Sequence, residues 1–478
     1  MVSSEDIEEL KAKRICFQCV GEAYLSDQME RDGAVAQCAY CQETEKTFSV
    51  GALADRIESA FEDYYILTPD EPDTWEEALM SDMESGYEWE RGGEPVVDAI
   101  ENAAGVPHRA AEDIQAILDD RHNDFDLASG WEDTEFSSKT YYAKRGTRMF
   151  AWEETWCAFE HSLKTEARFF SRNATVHLAS VFGNIDKLKT RKGRSLIVQA
   201  GPKRVLSHLY RARVFQSKDK LQEALCRPDQ HLGSPPTRLA SSGRMNARGI
   251  SVFYGATASR VAIAEVRPPV GSAVAVAKFD ITRPLRLLDL TALENTWDDG
   301  SIFDPTLKDR LERVEFLQSL GDRMTQPVMP DNEAFDYLPT QAIADFLATQ
   351  NEPQLDGIVF RSVQVKGGRN VVLFHKAARV EVIWFPEGTV IEADSILYHV
   401  NEYAPPPSNR SPANDHDDWL GGQPFLGPSY HSRDYDFRDV ALRVDPASVT
   451  VNEVDWGSYR CTAYKVSRHR HEKPKPKF

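Results

Sequence analysis

The stretch "SSGRMNARGISVFYGATASRVAIAE", residues 241–265, decides the fold. An arginine-rich polar loop gives way to "SVFYGA", whose aromatic and β-branched residues predict a strand ending at a small-residue turn. The run "ATASRVAIA" then predicts a helix over about 257–265. Taken alone, Tyr254 beside Gly255 is either a ring at a cleft mouth or a half-buried core tyrosine. Glu265, at the helix end, is either a site carboxylate or a solvated one.

Outward from this stretch the same alternation recurs. "SHLYRARVF", "VAVAKFDI", "DGIVFRSVQV" and "RNVVLFHK" all have strand character, and Gly367-Gly368 joins the last two as a hairpin. Helical stretches interrupt them at about 257–265, 307–320 and 339–350, so residues 200–376 form an α+β domain. In "HLYRARVF", Arg211 and Arg213 fall on one face, opposite Tyr210 and Val214, where a solvated face is the ordinary reading. Ser362 lies in the "IVFRSVQV" strand. Residues 377–478 read as a β-rich extension with strands in "VEVIWF" and "GTVIEAD". An irregular loop follows, containing "NDHDDW", and then a basic, proline-broken tail with His469 and His471.

Residues 1–50 carry Cys16, Cys19, Cys38 and Cys41, two C-x2-C pairs separated by 18 residues. Each pair turns two thiolates toward one tetrahedral ion, and four cysteines leave no open coordination position, so a structural zinc ribbon is expected. Two disulfides are the alternative, which a reducing compartment disfavours. Cys157, Cys226 and Cys461 stand alone as small core residues. From 51 to 195 the pattern is all-helical: residues 108–121 and 151–192 read as helices, with Trp152, Trp156, Phe159 and Leu163 forming a stripe.

A chain of 478 residues exceeds one ordinary core, so a multidomain protein is expected. Its charge of -19 is local: residues 52–135 hold 25 Asp and Glu against 4 Arg and no Lys, and the remainder is close to neutral. The acidic segment reads as a solvated face, or as a surface for a basic partner, while the rest can accept an anionic ligand. No apolar run approaches the ~18 residues that span a bilayer, and the charged N-terminus lacks a signal core. A cytoplasmic location without membrane attachment is expected, and a homo-oligomer is allowed.

The order of motifs resembles the RES domain, the toxin component of bacterial toxin–antitoxin pairs. The resemblance rests on Arg211 in "LYRARVF", on "GRMNARGISVFYGATASRVAIAEV" with Gly249, Tyr254 and Glu265, on "YLPTQAIADFL", and on "DGIVFRSV" with Ser362. It implies an ADP-ribosyltransferase-like fold and NAD+ as substrate. Breaking the nicotinamide–ribose bond develops positive charge at C1′ and O4′, which a carboxylate, Glu265, would stabilise. Arg211 would grip the pyrophosphate, with Arg213 or Arg244 as helpers. Tyr254 would stack on the nicotinamide or ribose, and Ser362 would hydrogen-bond the ribose or carboxamide. The opening loop, strand and helix would then deliver ring and carboxylate to one cleft. Whether water, phosphate or a protein side chain attacks C1′ stays open. The family also implies a neutralising antitoxin carrying a helix-turn-helix.

Two other readings compete. "RNATVH", with Arg172 and His177, fits the R-x4-H pattern of HEPN ribonucleases, although residues five apart on a regular helix point about 140° apart. The helical region also resembles the N-terminal extension of some RES proteins. The second reading is a non-catalytic recognition module built on the zinc ribbon and acidic helices.

Overall fold

The computed structural model describes residues 4–82, 86–122, 134–146, 150–394, 398–404 and 436–457. "NDHDDW", Cys461, His469 and His471 lie outside them. The chain divides into two compact units. One comprises Met1–Val181, Ile185–Leu196 and Ala292–Arg323, the other Phe182–Asn184, Ile197–Thr291 and Met324–Phe478. Among the described residues, no helix is long and apolar enough to cross a membrane.

The first unit is mainly helical and carries the cysteine cluster. Arg14–Cys16, Thr44–Ser49 and Ala34–Gln37 form a three-stranded antiparallel sheet with Thr44–Ser49 in the centre. The helix Val50–Tyr64 starts where the Ser49 hydroxyl accepts from the Ala52 N–H, and it buries Val50, Leu53, Ala54, Ile57 and Phe61 at helical spacing. Those side chains share one core with Ile15, Leu25 and Met29 from the cysteine region and with Ile100, Ile114 and Leu118 from two further helices. Each such Val, Leu, Ile, Met or Phe burial contributes about 1.5–3 kcal/mol. Tyr40 donates to Asp113 at 2.7 Å, and Lys13 pairs with the same carboxylate at 2.7 Å, tying the two regions again.

Two local expectations change here. The region from 51 to 195 also contains a small sheet of Tyr65–Leu67, Tyr141–Lys144 and Glu94–Pro95, strands too short to register as a period-2 pattern. The helix expected over 151–192 is two helices, Phe150–Thr165 and Arg172–Phe182. Phe170 between them adopts φ 61°, and the Ser171 hydroxyl accepts from the Ala174 N–H, a capping contact that starts the second helix.

His177 lies in that second helix and is 6 % exposed. The rings of Phe159, Trp156, Trp152 and Phe316 surround it at centroid distances of 5.3, 6.1, 6.3 and 6.4 Å. Neither ring nitrogen has a hydrogen-bond partner, and burial pushes the imidazole pKa below its usual value. Folded His177 therefore resists a proton that the unfolded chain accepts. Its contribution to stability is complete above the unfolded pKa of about 6.5 and is lost as pH falls below it. Denaturant midpoints at pH 7.5 and 5.5 should show a smaller acid-induced loss in His177→Leu than in the parent; an equal loss would contradict this. Arg172, by contrast, is exposed, so the structure does not bring the R-x4-H pair to one surface.

The second unit is built on one eight-stranded sheet. In chain order its strands are β1 (Ile197–Ala200), β2 (His208–Phe215), β3 (Phe253–Ala256), β4 (Ala273–Ile281), β5 (Leu285–Asp289), β6 (Gly357–Arg361), β7 (Arg369–Leu373) and β8 (Leu442–Glu453). Across the sheet the order is β8-β4-β2-β3-β7-β6-β5-β1, antiparallel except for β5 with β6. The β6–β7 hairpin is as expected, with Gly367 at φ 75° in its turn. Of the "VEVIWF" strand only Val380 bridges, to Leu442, while "GTVIEAD" supplies the strand Val390–Ala393, paired with Val400–Tyr403.

Strand alternation gives the sheet two different faces. One carries the larger core, with Leu209, Phe253, Phe279, Leu287, Val371 and Leu373. The other carries Ala212, Ala256, Val274 and Val276 beneath Val261 and Ala262 of the helix α1 (Ser259–Glu265). Alanines at these positions keep the helix close while leaving volume unfilled beside it. The β2–β3 ladder is reduced to one register pair, Ala256 with Tyr210, so the sheet opens between these strands.

Candidate active site

The unfilled volume is a cavity of about 260 Å³, with Ala212, Ala256 and Ala262 among its walls. Arg211, Tyr254 and Glu265 line it together, although Glu265 is 54 residues beyond Arg211 in the chain. Each reaches the cavity for a separate local reason.

Arg211 comes from β2 at the point where the sheet opens. Its guanidinium lies 5.0 Å from the centroid of the Phe253 ring, and Nη1 is buried without a partner. Desolvation pulls its pKa down to about 10, with Arg213 adding to the fall. The group therefore remains a cation at neutral pH, and a buried cation with an unused donor favours an anionic ligand.

Tyr254 ends up fixed by the loop that precedes it. Its hydroxyl accepts from the Met245 N–H at 3.0 Å and donates to Asn246 Oδ1 at 2.9 Å. Burial raises its pKa to about 12, so the phenol stays neutral and the ring is its offering to the cavity. Asn246 in turn donates to the carbonyls of Ser241, Ala247 and Ile250, which closes the loop on itself. Gly243 makes the arrangement fit: a Cβ there would stand 2.7 Å from the Tyr254 hydroxyl. The helix α2 (Leu338–Thr349), which opens with "LPTQ", pins the loop from outside. Thr340 donates to the Arg244 carbonyl and Gln341 to that of Gly243.

Glu265 is the last residue of α1, and its Oε1 accepts from the Ser362 hydroxyl at 2.6 Å. Ser362 Oγ also accepts from the backbone N–H groups of Gln364 and Val365, each at 3.2 Å. With two donors aimed at its lone pairs, the hydroxyl has one direction left for its proton, toward the carboxylate. Ser362 thus acts as a positioning group for Glu265 in this geometry. Ser362→Ala should leave the rotamer of Glu265 unfixed and lower kcat by about 10–100-fold with KM within about threefold. A Ser362→Thr variant keeps the hydroxyl and should recover most of the rate. An unchanged kcat in the alanine variant would contradict the positioning role.

Four residues expected at the site do not line this cavity: Ser362, which meets it only through Glu265, and Arg213, Arg244 and Gly249. Arg213 donates to the His231 carbonyl and lies against Phe215, beside a separate surface cleft that includes Lys220. Arg244 donates to the carbonyls of Met324 and Gln326 and stacks on Tyr337, so its guanidinium holds the loop. Gly249 adopts φ 88° and donates to the Ala240 carbonyl; it serves the loop's backbone. Among the lining residues that the sequence reading does not assign to the site, one is a buried amide. Asn370, in β7, is 5 % exposed and belongs to the cavity wall. A polar residue within the strand run "RNVVLF" was the sequence signal that could have found it.

In the first unit, the four Sγ atoms of Cys16, Cys19, Cys38 and Cys41 lie within 4.8 Å of one another. Cys16 and Cys41 are 3.5 Å apart and Cys38 and Cys19 are 3.9 Å apart. A tetrahedral ion with bonds of about 2.3 Å requires sulfurs about 3.8 Å apart, so the donor set fits a metal. The N–H groups of Cys16 and Tyr40 both point at Cys38 Sγ, as a thiolate requires.

Comparison with known proteins adds a family. Residues 208–391 match the RES domain, from the first residue of β2 to the strand after the sheet's main hairpin. No curated protein and no solved structure matches the chain. The matched span holds Arg211, Tyr254, Glu265 and Ser362, whereas β1 and β8 complete the same sheet from outside it. On that match, residues 208–391 of this chain are a RES domain.

Proposed function

We propose that the RES domain has an ADP-ribosyltransferase-like active site that cleaves the nicotinamide–ribose bond of NAD+. The observation that carries this reading is a carboxylate held in one orientation, Glu265 by Ser362, in a cavity lined also by Arg211, whose Nη1 is buried without a partner, and by a fixed aromatic ring. The C1′–N bond breaks with its electron pair leaving on nicotinamide, which departs neutral. Positive charge grows at C1′ and O4′. A nearby carboxylate lowers the energy of that state more than that of the already charged substrate spread over its pyridinium ring. Fixing the carboxylate beforehand removes the cost of reorienting it during the reaction.

The remaining groups bind. Arg211 takes the pyrophosphate, which supplies the anion its Nη1 lacks. Tyr254 stacks through its ring, since its hydroxyl is engaged. At about 260 Å³ the cavity is just below the usual 300–1,000 Å³ of small-molecule sites, which suits the nicotinamide riboside end with the adenosine outside. The nucleophile at C1′ is water, phosphate or a protein side chain. Incubation with NAD+, with and without phosphate, followed by mass analysis, assigns it by product: ADP-ribose, its 1″-phosphate, or a modified protein.

A protein that consumes NAD+ endangers its own cell, so the RES domain is expected to act as a toxin under a neutralising partner, the helix-turn-helix antitoxin its family implies. The four N-terminal cysteines would hold Zn2+, which supplies cross-linking to the fold and no chemistry to the RES domain.

A further inference from the structure

Asn370 is out of place by the rules that shape the rest of β7. Val371, Val372 and Leu373 follow it as fully buried apolar residues, and β7 is a central strand, paired with β3 on one side and β6 on the other. In the register Asn370 stands between Ala256 and Phe360, both of which line the cavity with it. Alternation puts its side chain on the Tyr254 side of the sheet, away from the larger core. Asn370 is 5 % exposed, yet its Oδ1 has no hydrogen-bond partner. An apolar residue would fill this position without that penalty, and Asn contributes nothing to the strand that Val or Leu would not improve. The unsatisfied Oδ1 therefore points to something that enters the cavity.

We propose that Asn370 is a specificity residue, its side-chain amide pairing with the carboxamide of the substrate's nicotinamide ring. The assignment rests on the NAD+ reading above. Asn and a primary carboxamide each present one carbonyl acceptor and one NH₂ donor, so the two close a reciprocal pair. The surroundings suit the rest of that group: Phe360 beside Asn370 and Tyr254 on the adjoining strand offer apolar surface to a planar ring. Holding the carboxamide fixes the ring, and with it the direction of the bond that breaks beside Glu265.

The test uses the full chain and three dinucleotides: NAD+, its 3-acetylpyridine analogue, which lacks the NH₂, and its nicotinic acid analogue, which replaces the amide with a carboxylate. The parent protein should prefer NAD+ over either analogue by at least about 100-fold in kcat/KM, because a site built on a buried hydrogen bond rejects a ligand that cannot complete it. In Asn370→Leu, kcat/KM for NAD+ should fall about 100-fold and the preference over the acetylpyridine analogue should shrink to within about threefold. Asn370→Ser, a smaller change, should shift both in the same direction, and thermal melting of each variant checks the fold. Equal kcat/KM for the three dinucleotides in the parent protein overturns the assignment, whatever the variants do. A parental preference kept unchanged in folded Asn370→Leu or Asn370→Ser also overturns it, and leaves the NAD+ reading standing. No turnover of any of the three by the parent protein overturns both.

Discussion

Glu265→Gln is expected to lower NAD+ cleavage by about 10²–10³-fold, or roughly 3–4 kcal/mol of transition-state stabilisation. Gln has the same shape, and its carbonyl can still accept from Ser362, so the contact at 2.6 Å survives with its charge removed. The loss should appear in kcat with little change in KM, because the full negative charge matters most when C1′ and O4′ become positive. Melting should stay within a few degrees of the parent, since the substitution leaves no cavity and buries no new polar group. Steady-state release of nicotinamide, measured beside thermal melting, checks both parts. A folded Glu265→Gln protein with parental kcat would remove the carboxylate from the chemistry.

Cys16→Ser should have the largest effect on stability. Cys16 is fully buried at the end of its strand, and the core around it continues through Ile15 and Leu25 into the helices Val50–Tyr64 and His108–His122. Four thiolates around one Zn2+ contribute folding free energy that, in small zinc modules, reaches about 10–16 kcal/mol, and one missing ligand forfeits most of it. Even ~5 kcal/mol corresponds to roughly 10–20 °C in the melting midpoint of a unit of 150–250 residues. Elemental analysis should find about one Zn2+ per parent chain and less than a tenth of that in Cys16→Ser, with melting lowered accordingly. A parent protein purified without zinc, and a variant that melts at the same temperature, would contradict a metal-supported fold.

Much of the architecture was legible because it is written in local patterns. The strand, turn and helix of 253–265, the glycine hairpin at 367, and the two C-x2-C pairs depend on residues near one another in the chain, and the structure has them all. Other features depend on partners far along the chain. Arg244 looks like a ligand-binding arginine until its guanidinium is seen on the carbonyls of Met324 and Gln326. Ser362 and Glu265 are 97 residues apart, and neither sequence neighbourhood reveals that one hydroxyl orients the other's carboxylate. His177 reads as half of a ribonuclease motif, yet its aromatic cage is completed by Phe316, far along the chain. The break at 166–171 escapes the sequence pattern because the aromatic residues of "RFFSRN" keep the apolar count of a helix, while Ser171 acts as the cap of the next one.

The most direct measurement of the central claim is the incubation of purified full-length protein with NAD+ and the quantification of nicotinamide against remaining dinucleotide. The account predicts that nicotinamide appears mole for mole as NAD+ disappears, at a rate that Glu265→Gln lowers by about 10²–10³-fold. NAD+ left intact by folded, zinc-loaded protein, free of any bound partner, would contradict it.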